Sequence, residues 1–175
     1  MFLHKRKQKG LMLIELIIGL IIIAILGIII TPSIEIYYQQ YRLKGAAETL
    51  YDNINNARTT AIQKATTVTL TFTTGSSWCY GISSGVIACA CASAPSASNC
   101  NLGVVSSADY SGTTLATTIG TSTTFNATRG APNNTGTITF STTSGGSQSV
   151  QLTLTGLGTS MMCSPSGTVG GYAAC

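Results

Sequence analysis

Beyond Lys64 the chain is almost uncharged, with only Asp109 and Arg129 between there and its last residue, and its one histidine is His4. No two cysteines form a Cys-x-x-Cys pair. These absences exclude several classes of chemistry. Proton transfer at neutral pH relies on histidine or on closely paired carboxylates, and neither is visible past residue 4, so the serines have no evident base and no enzyme is expected. A zinc site lacks its usual ligands, because Cys89-Ala-Cys91 is a poor match to metal-binding spacing. Acidic clusters that would hold calcium are also missing. Gly167-Thr168-Val169-Gly170-Gly171 is glycine-rich, but no lysine follows it to hold a phosphate, and a loop closed by Cys175 explains it better. The sequence calls for no metal and no cofactor.

Threonine, serine, glycine and alanine fill the space instead, together with six cysteines: Cys79, Cys89, Cys91, Cys100, Cys163 and Cys175. An even count in a polar, β-like region reads as disulfides in an exported domain. The net charge of +4 suggests an anionic partner only until it is located. Lys5, Arg6, Lys7 and Lys9 all precede Gly10, and removing them leaves five basic residues against five acidic ones. Nucleic acid therefore stays a conceivable partner, but one that the charge of the remaining chain does not support.

Leu11 to Ile30 is apolar except for Glu15, Gly19 and Gly27. About twenty helical residues span the hydrocarbon core of a bilayer, so this segment is expected to be a membrane helix. The basic cluster before it should stay cytoplasmic and send the cysteine-bearing part outward. A cleaved secretory signal has a shorter apolar core, of about 7–15 residues. A plain anchor has no use for Glu15, because a charged carboxylate in a membrane helix costs about 2.5–3.5 kcal/mol even on lenient scales. The glutamate needs a partner.

Lys9-Gly10-Leu11-Met12-Leu13-Ile14-Glu15-Leu16 resembles the prepilin peptidase site, in which a glycine precedes an apolar mature terminus with glutamate at its fifth position. Leu11 stands where phenylalanine is commonest, and Met12 where threonine is frequent. The resemblance implies cleavage between Gly10 and Leu11, N-methylation of Leu11 by the same prepilin peptidase, and pairing of Glu15 with the terminal amine of a neighbouring subunit. It also implies an inner-membrane assembly platform as a partner. Pro32, shared in position with many pilins, is expected to kink or loosen the helix.

After Pro32 an apolar stripe of Leu43, Ala47, Leu50, Ile54, Ala57 and Ala61 repeats at steps of three and four, which predicts a helix reaching about Lys64 and packed on a sheet. Tyr37, Tyr38 and Tyr41 suit either an aromatic belt or lateral packing. Alternation predicts strands over 67–73, 78–83, 104–107, 123–127, 137–142, 150–155 and 160–163, with a hairpin at Gly145-Gly146. The expected fold is α+β, a long N-terminal helix, half transmembrane and half amphipathic, on an antiparallel β-sheet head. The expected divisions are a cleaved leader (1–10), a transmembrane and filament-core helix (11–31), an amphipathic helix (32–64) and a disulfide-linked head (65–175).

Asn56-Ala57-Arg58-Thr59-Thr60-Ala61-Ile62 followed by Val68-Thr69-Leu70, and Phe125 with Arg129-Gly130 and Gly136-Thr137-Ile138-Thr139-Phe140, resemble the FimT/GspH family of minor pilins and type II secretion pseudopilins. That resemblance implies a single-pass protein of the bacterial inner membrane with a periplasmic head. Other pilin or pseudopilin subunits would be its partners in a type IV pilus or a pseudopilus. The family often has a C-terminal disulfide, which with the intervening glycines implies a Cys163–Cys175 bond. Pairing of Cys79, Cys89, Cys91 and Cys100 stays open. Some DNA-uptake members carry Gly-Arg-x-Arg near that disulfide. Here the stretch is Gly158-Thr159-Ser160-Met161-Met162, without either arginine, so a subunit displaying a site for DNA uptake or adhesion is the alternative to a structural one.

Overall fold

The computed structural model describes residues 13–91, 100–143 and 148–175, and of residues 28–33 the backbone course alone. The chain divides into two units, Met1–Ile36 and Tyr37–Cys175. Helix α1 spans Leu13–Gln63 and does not end at Pro32.

In the first unit the described side chains from Leu13 to Leu26 are apolar on every side of the helix apart from Glu15 and Gly19, and the large ones are exposed, from Ile17 at 45% to Leu13 at 77%. Among the described residues no helix is long and apolar enough to cross a membrane. The apolar run of the sequence, Leu11–Ile30, extends past the described side chains at both ends.

In the second unit α1 buries one stripe: Leu43, Ala46, Ala47, Leu50, Ile54, Ala57 and Ala61 are all sealed from solvent. Small alanines let the helix lie close to the strands, and the larger residues fill the space between. The helix ends at Ala65, whose φ of 49° turns the chain into the left-handed region. The Thr66 and Ala65 N–H groups then donate back to the Ala61 and Ile62 carbonyls at 3.2 and 3.3 Å, satisfying orphan acceptors of the last turn.

Among the described residues eight strands follow: β1 (Val68–Thr73), β2 (Cys79–Ser84), β3 (Gly103–Ser106), β4 (Thr113–Thr117), β5 (Ser122–Phe125), β6 (Gly136–Thr142), β7 (Ser149–Leu154) and β8 (Ser160–Cys163). They form two four-stranded sheets, β3-β2-β1-β5 and β4-β6-β7-β8, in place of the single expected sheet. All neighbouring strands within them pair antiparallel. The two sheets are tied by Gly75 and Leu115, which exchange backbone bonds of 2.9 and 3.1 Å.

Inward residues of both sheets share one core with the helix stripe, among them Leu70, Phe72, Tyr80, Phe125, Ile138, Phe140, Leu152 and Leu154. Trp78 sits at its centre, stacked on Tyr80 and Tyr110 at 6.2 Å each and edge-on to Phe140 at 5.0 Å. Its indole N–H donates to Thr113 Oγ1 at 3.1 Å, which removes the cost of burying both polar groups.

β4 was not among the predicted strands. Its inward positions are held by Thr113 and Leu115, and a threonine buried through a bond from tryptophan does not register as an apolar position. The expected hairpin at Gly145-Gly146 falls outside the described residues, but β6 and β7 on either side of it do pair antiparallel.

Candidate functional site

The residues singled out from the sequence fall into three groups. Gly10 and Leu11, the expected cleavage and methylation positions, lie outside the described residues. Glu15 lies in the first turn of α1, exposed among Leu13, Ile14, Leu16 and Ile18. A carboxylate in so apolar a setting has no partner among the described residues. Pro32 lies within the helix, and its side chain is outside what is described.

The cysteines form three disulfides: Cys79–Cys91, Cys89–Cys100 and Cys163–Cys175. The first two interlock, because Cys89 and Cys91 reach different partners from the same short segment. They make a small core of their own on the outer side of β2, with Val104 against it. Gly81 faces this pair. A Cβ there would stand 2.5 Å from both Cys89 Sγ and Cys100 Sγ.

Cys163–Cys175 returns the C-terminal segment to the sheet. Ser164 donates to the Ala173 carbonyl at 2.8 Å and accepts from the Cys175 N–H at 3.3 Å. The returning segment buries Val169 and brings the Tyr172 hydroxyl to Glu48 on α1, to which it donates at 2.7 Å. Burial, and then this bond to the carboxylate, raise the Tyr172 hydroxyl above the usual phenol range. Burial does the same to Tyr80, against the opposing effect of the Asn53 amide that donates to it at 2.9 Å.

Two cavities stand out on the head among the described residues. One, of about 490 Å³, is lined by Tyr41, Arg42, Lys44, Gly45, Glu48, Asp109 and Tyr110. Its charges are largely engaged in holding the fold. Arg42 donates to Ser111 Oγ at 2.6 Å, Asp109 accepts from the Ser106 N–H at 3.3 Å, and Lys44 lies 5.9 Å from the Tyr172 ring centre. The other, of about 600 Å³, is lined by Thr67, Val86, Thr124, Asn126, Ala127, Ala131, Pro132 and Asn133, none of them titratable. Neither brings a nucleophile to a base, and no group of metal-ligating side chains occurs among the described residues.

A cation lies apart from both cavities. Arg58, on the last turns of α1, runs between Gly130 and Gly158, whose positive φ angles of 63° and 76° bend two loops around it. A Cβ on Gly130 would meet Arg58 Cγ at 2.6 Å, and one on Gly158 would meet Arg58 Nε at 3.0 Å. Arg58 Nε is buried without a hydrogen-bond partner among the described residues. The sequence names Arg58 and Arg129-Gly130 as separate family-like stretches and gives no sign that they meet. The contact joins α1 to loops far along the chain.

The family model "Type II transport protein GspH" matches residues 46–158, more than half of the chain. The chain belongs to the GspH family. That match covers the buried stripe of α1 from Ala46 onward, Arg58, both interlocked disulfides and the strands as far as β7, and stops at Gly158. The GspH-like chain also shares its fold with the type IV minor pilin FimU of Pseudomonas aeruginosa. One crystal form of FimU superposes with a TM-score of 0.52 at 16% identity, covering 72% of this chain and 91% of that one. A second crystal form gives 0.48 at 19% identity, covering 69% and 91%. No curated protein matches by sequence. The chain is thus a GspH/FimT-like pilin-type protein with an α+β, minor-pilin fold, and such membership implies assembly with other pilin or pseudopilin subunits.

Proposed function

We propose that this protein is a minor pilin or pseudopilin, a structural subunit built into a type IV pilus or a type II secretion pseudopilus through its N-terminal helix. The observation that carries the reading is the contrast along α1. Its early residues expose apolar side chains all round a lone glutamate, while its later residues bury a single stripe against a disulfide-linked head. A helix apolar on all sides is covered by lipid or by other helices. Family membership and the minor-pilin fold support both states, a membrane anchor before assembly and a filament core after it.

In this account the leader Met1–Gly10 is cleaved by prepilin peptidase, and Leu11 becomes the methylated terminus. The chain waits as a single-pass protein of the bacterial inner membrane, with its head in the periplasm. There the assembly platform draws it into a filament. Glu15 then pairs with the terminal amine of a neighbouring subunit. At ~4 Å and an effective dielectric of ~20, such a pair gains about 4 kcal/mol before desolvation, enough to offset much of the cost of burying the carboxylate. The interlocked disulfides hold the exported head, whose charge is too sparse for ion-pair networks.

Display of a DNA-uptake or adhesion site is the alternative, and the arginine pair that would carry the DNA version is absent from Gly158–Met162. Intact-mass measurement of the membrane-extracted protein tests the reading. A mature chain beginning at Leu11 with one added methyl group is expected. A terminus still at Met1, in cells with active prepilin peptidase, contradicts it.

A further inference from the structure

Each sheet has two edges, and three of the four are guarded. Outward backbone groups of Thr124 on β5 are taken by Asn133, through its N–H at 3.0 Å and its side-chain oxygen at 2.7 Å. On β4 the central outward residue, Leu115, is taken by Gly75 in both directions. On β3 the Ser106 N–H and carbonyl are both taken by Asp109, at 3.3 and 3.1 Å.

β8 differs. Thr155 bonds Thr159 at the foot of the β7–β8 hairpin, so in an antiparallel ladder Met161 and Cys163 face β7 while Ser160 and Met162 turn their backbone groups outward. The next outward residue, Ser164, is engaged by the C-terminal segment. Backbone groups of Ser160 and Met162 have no partner among the described residues. Among the described residues β8 is therefore the one edge with two consecutive outward residues left open. It also lacks the usual deterrents to pairing, since Gly156–Cys163 contains neither a charge nor a proline, and Leu157 and Met161 are 76% and 68% exposed.

A second observation falls at the same corner. Of the three buried polar side-chain atoms without a partner among the described residues, two are Ser160 Oγ and Arg58 Nε. Arg58 is pressed against Gly158, two residues before Ser160. No acidic side chain pairs with it among the described residues, so a cation with a fixed stem stands unanswered beside the open edge.

We propose that the β8 edge is a docking site for an extended segment of a neighbouring subunit. The segment adds as a strand to Ser160–Met162 and places a carboxylate on the Arg58 guanidinium. Main-chain bonds supply the register, Leu157 and Met161 supply apolar cover, and Arg58 selects an acidic residue at one end. This inference rests on the filament reading for the identity of the neighbour, and on the edge itself for everything else.

The test uses the full chain made in cells that hold its assembly machinery, with Met161→p-benzoylphenylalanine as a photocrosslinker and the same substitution at Ala116 as control. Ala116 is exposed on β4, whose edge Gly75 occupies. Membrane and sheared-filament fractions are irradiated, and the adducts mapped. Position 161 is expected to give one adduct, with a segment of another pilin-type subunit that contains Asp or Glu, about tenfold above position 116. Ser160→Pro removes an outward N–H without touching the β7 ladder, and should lower the adduct about tenfold in a chain whose disulfides remain intact. If that variant does not accumulate, Leu157→Glu, at an exposed site, offers Arg58 an internal carboxylate and should lower the adduct in its place.

An adduct no stronger than that of position 116, one to a segment without an acid, or one indifferent to the edge variant overturns the proposal. Recovery of the chain in filaments without the adduct overturns the edge and leaves the filament reading standing. The expected adduct in membranes, with no chain in filaments, supports the edge and overturns the filament reading.

Discussion

Gly81→Ala adds a single methyl group at the most crowded point of the head. Its Cβ would lie 2.5 Å from both Cys89 Sγ and Cys100 Sγ, with Cys100 Cβ at 3.4 Å. The two sulfurs are bonded to each other, so neither can swing aside as a free side chain would. Gly81 is buried in the middle of β2 and paired on both sides, to Thr71 on β1 and Val104 on β3, so the backbone cannot retreat either. Overpacking of this kind costs about 1–3 kcal/mol. For a domain of this size that is roughly 2–4 °C of Tm per kcal/mol. Thermal unfolding of the variant should show this loss, whereas Gly156→Ala, with nothing near its Cβ, should be close to neutral. The decisive comparison is Gly81→Ala in a Cys89→Ala, Cys100→Ala background, where both sulfurs are gone. There the same methyl group should cost at least ~1 kcal/mol less than in the parent. Equal cost in both backgrounds would show that the clash with the disulfide is not what makes this position glycine.

Removing the C-terminal staple by Cys163→Ser with Cys175→Ser should cost about 3 kcal/mol in the loop-entropy model and loosen the returning segment first. Hydrogen exchange should then rise at Ser164 and Cys175 while β6 and β7 stay protected. Alkaline titration should find Tyr80 and Tyr172 ionising above the usual phenol range, because both are raised by burial, and Tyr172 further by Glu48. A raised folded-state pKa gives stability that is fully present below the unfolded phenol value of about 10 and is lost as pH climbs above it. Unfolding free energy should therefore fall above about pH 10, and less steeply in Tyr80→Phe. A head equally stable on both sides of that pH would contradict the assignment.

The helix stripe was legible because Leu43, Ala47, Leu50, Ile54, Ala57 and Ala61 repeat with the helical period and are the residues found buried. Most strands were legible through their alternation of threonine with apolar residues. Their division into two sheets was not, since β1 pairs with β5 across a long stretch of chain and nothing local in either strand states the partner. Nor was β4, where Thr113 fills a core position through its bond from Trp78. Four cysteines allow three pairings, and the interlocked pattern follows from how the segment after β2 folds back on it. The cradle around Arg58 and the open edge of β8 are products of tertiary contact and topology. A positive-φ glycine such as Gly158 is silent in sequence about which side chain lies over it.

In the proposed assembly, Glu15 makes the helix an assembly element and not merely an anchor. Glu15→Leu keeps the apolar run unbroken and removes only the carboxylate, so membrane abundance and leader cleavage should persist while recovery in sheared filaments falls. With ~4 kcal/mol of pairing partly offset by desolvation, the expected drop at equal expression is about tenfold or more. Unchanged incorporation of Glu15→Leu, measured as the ratio of filament to membrane protein, would contradict the account.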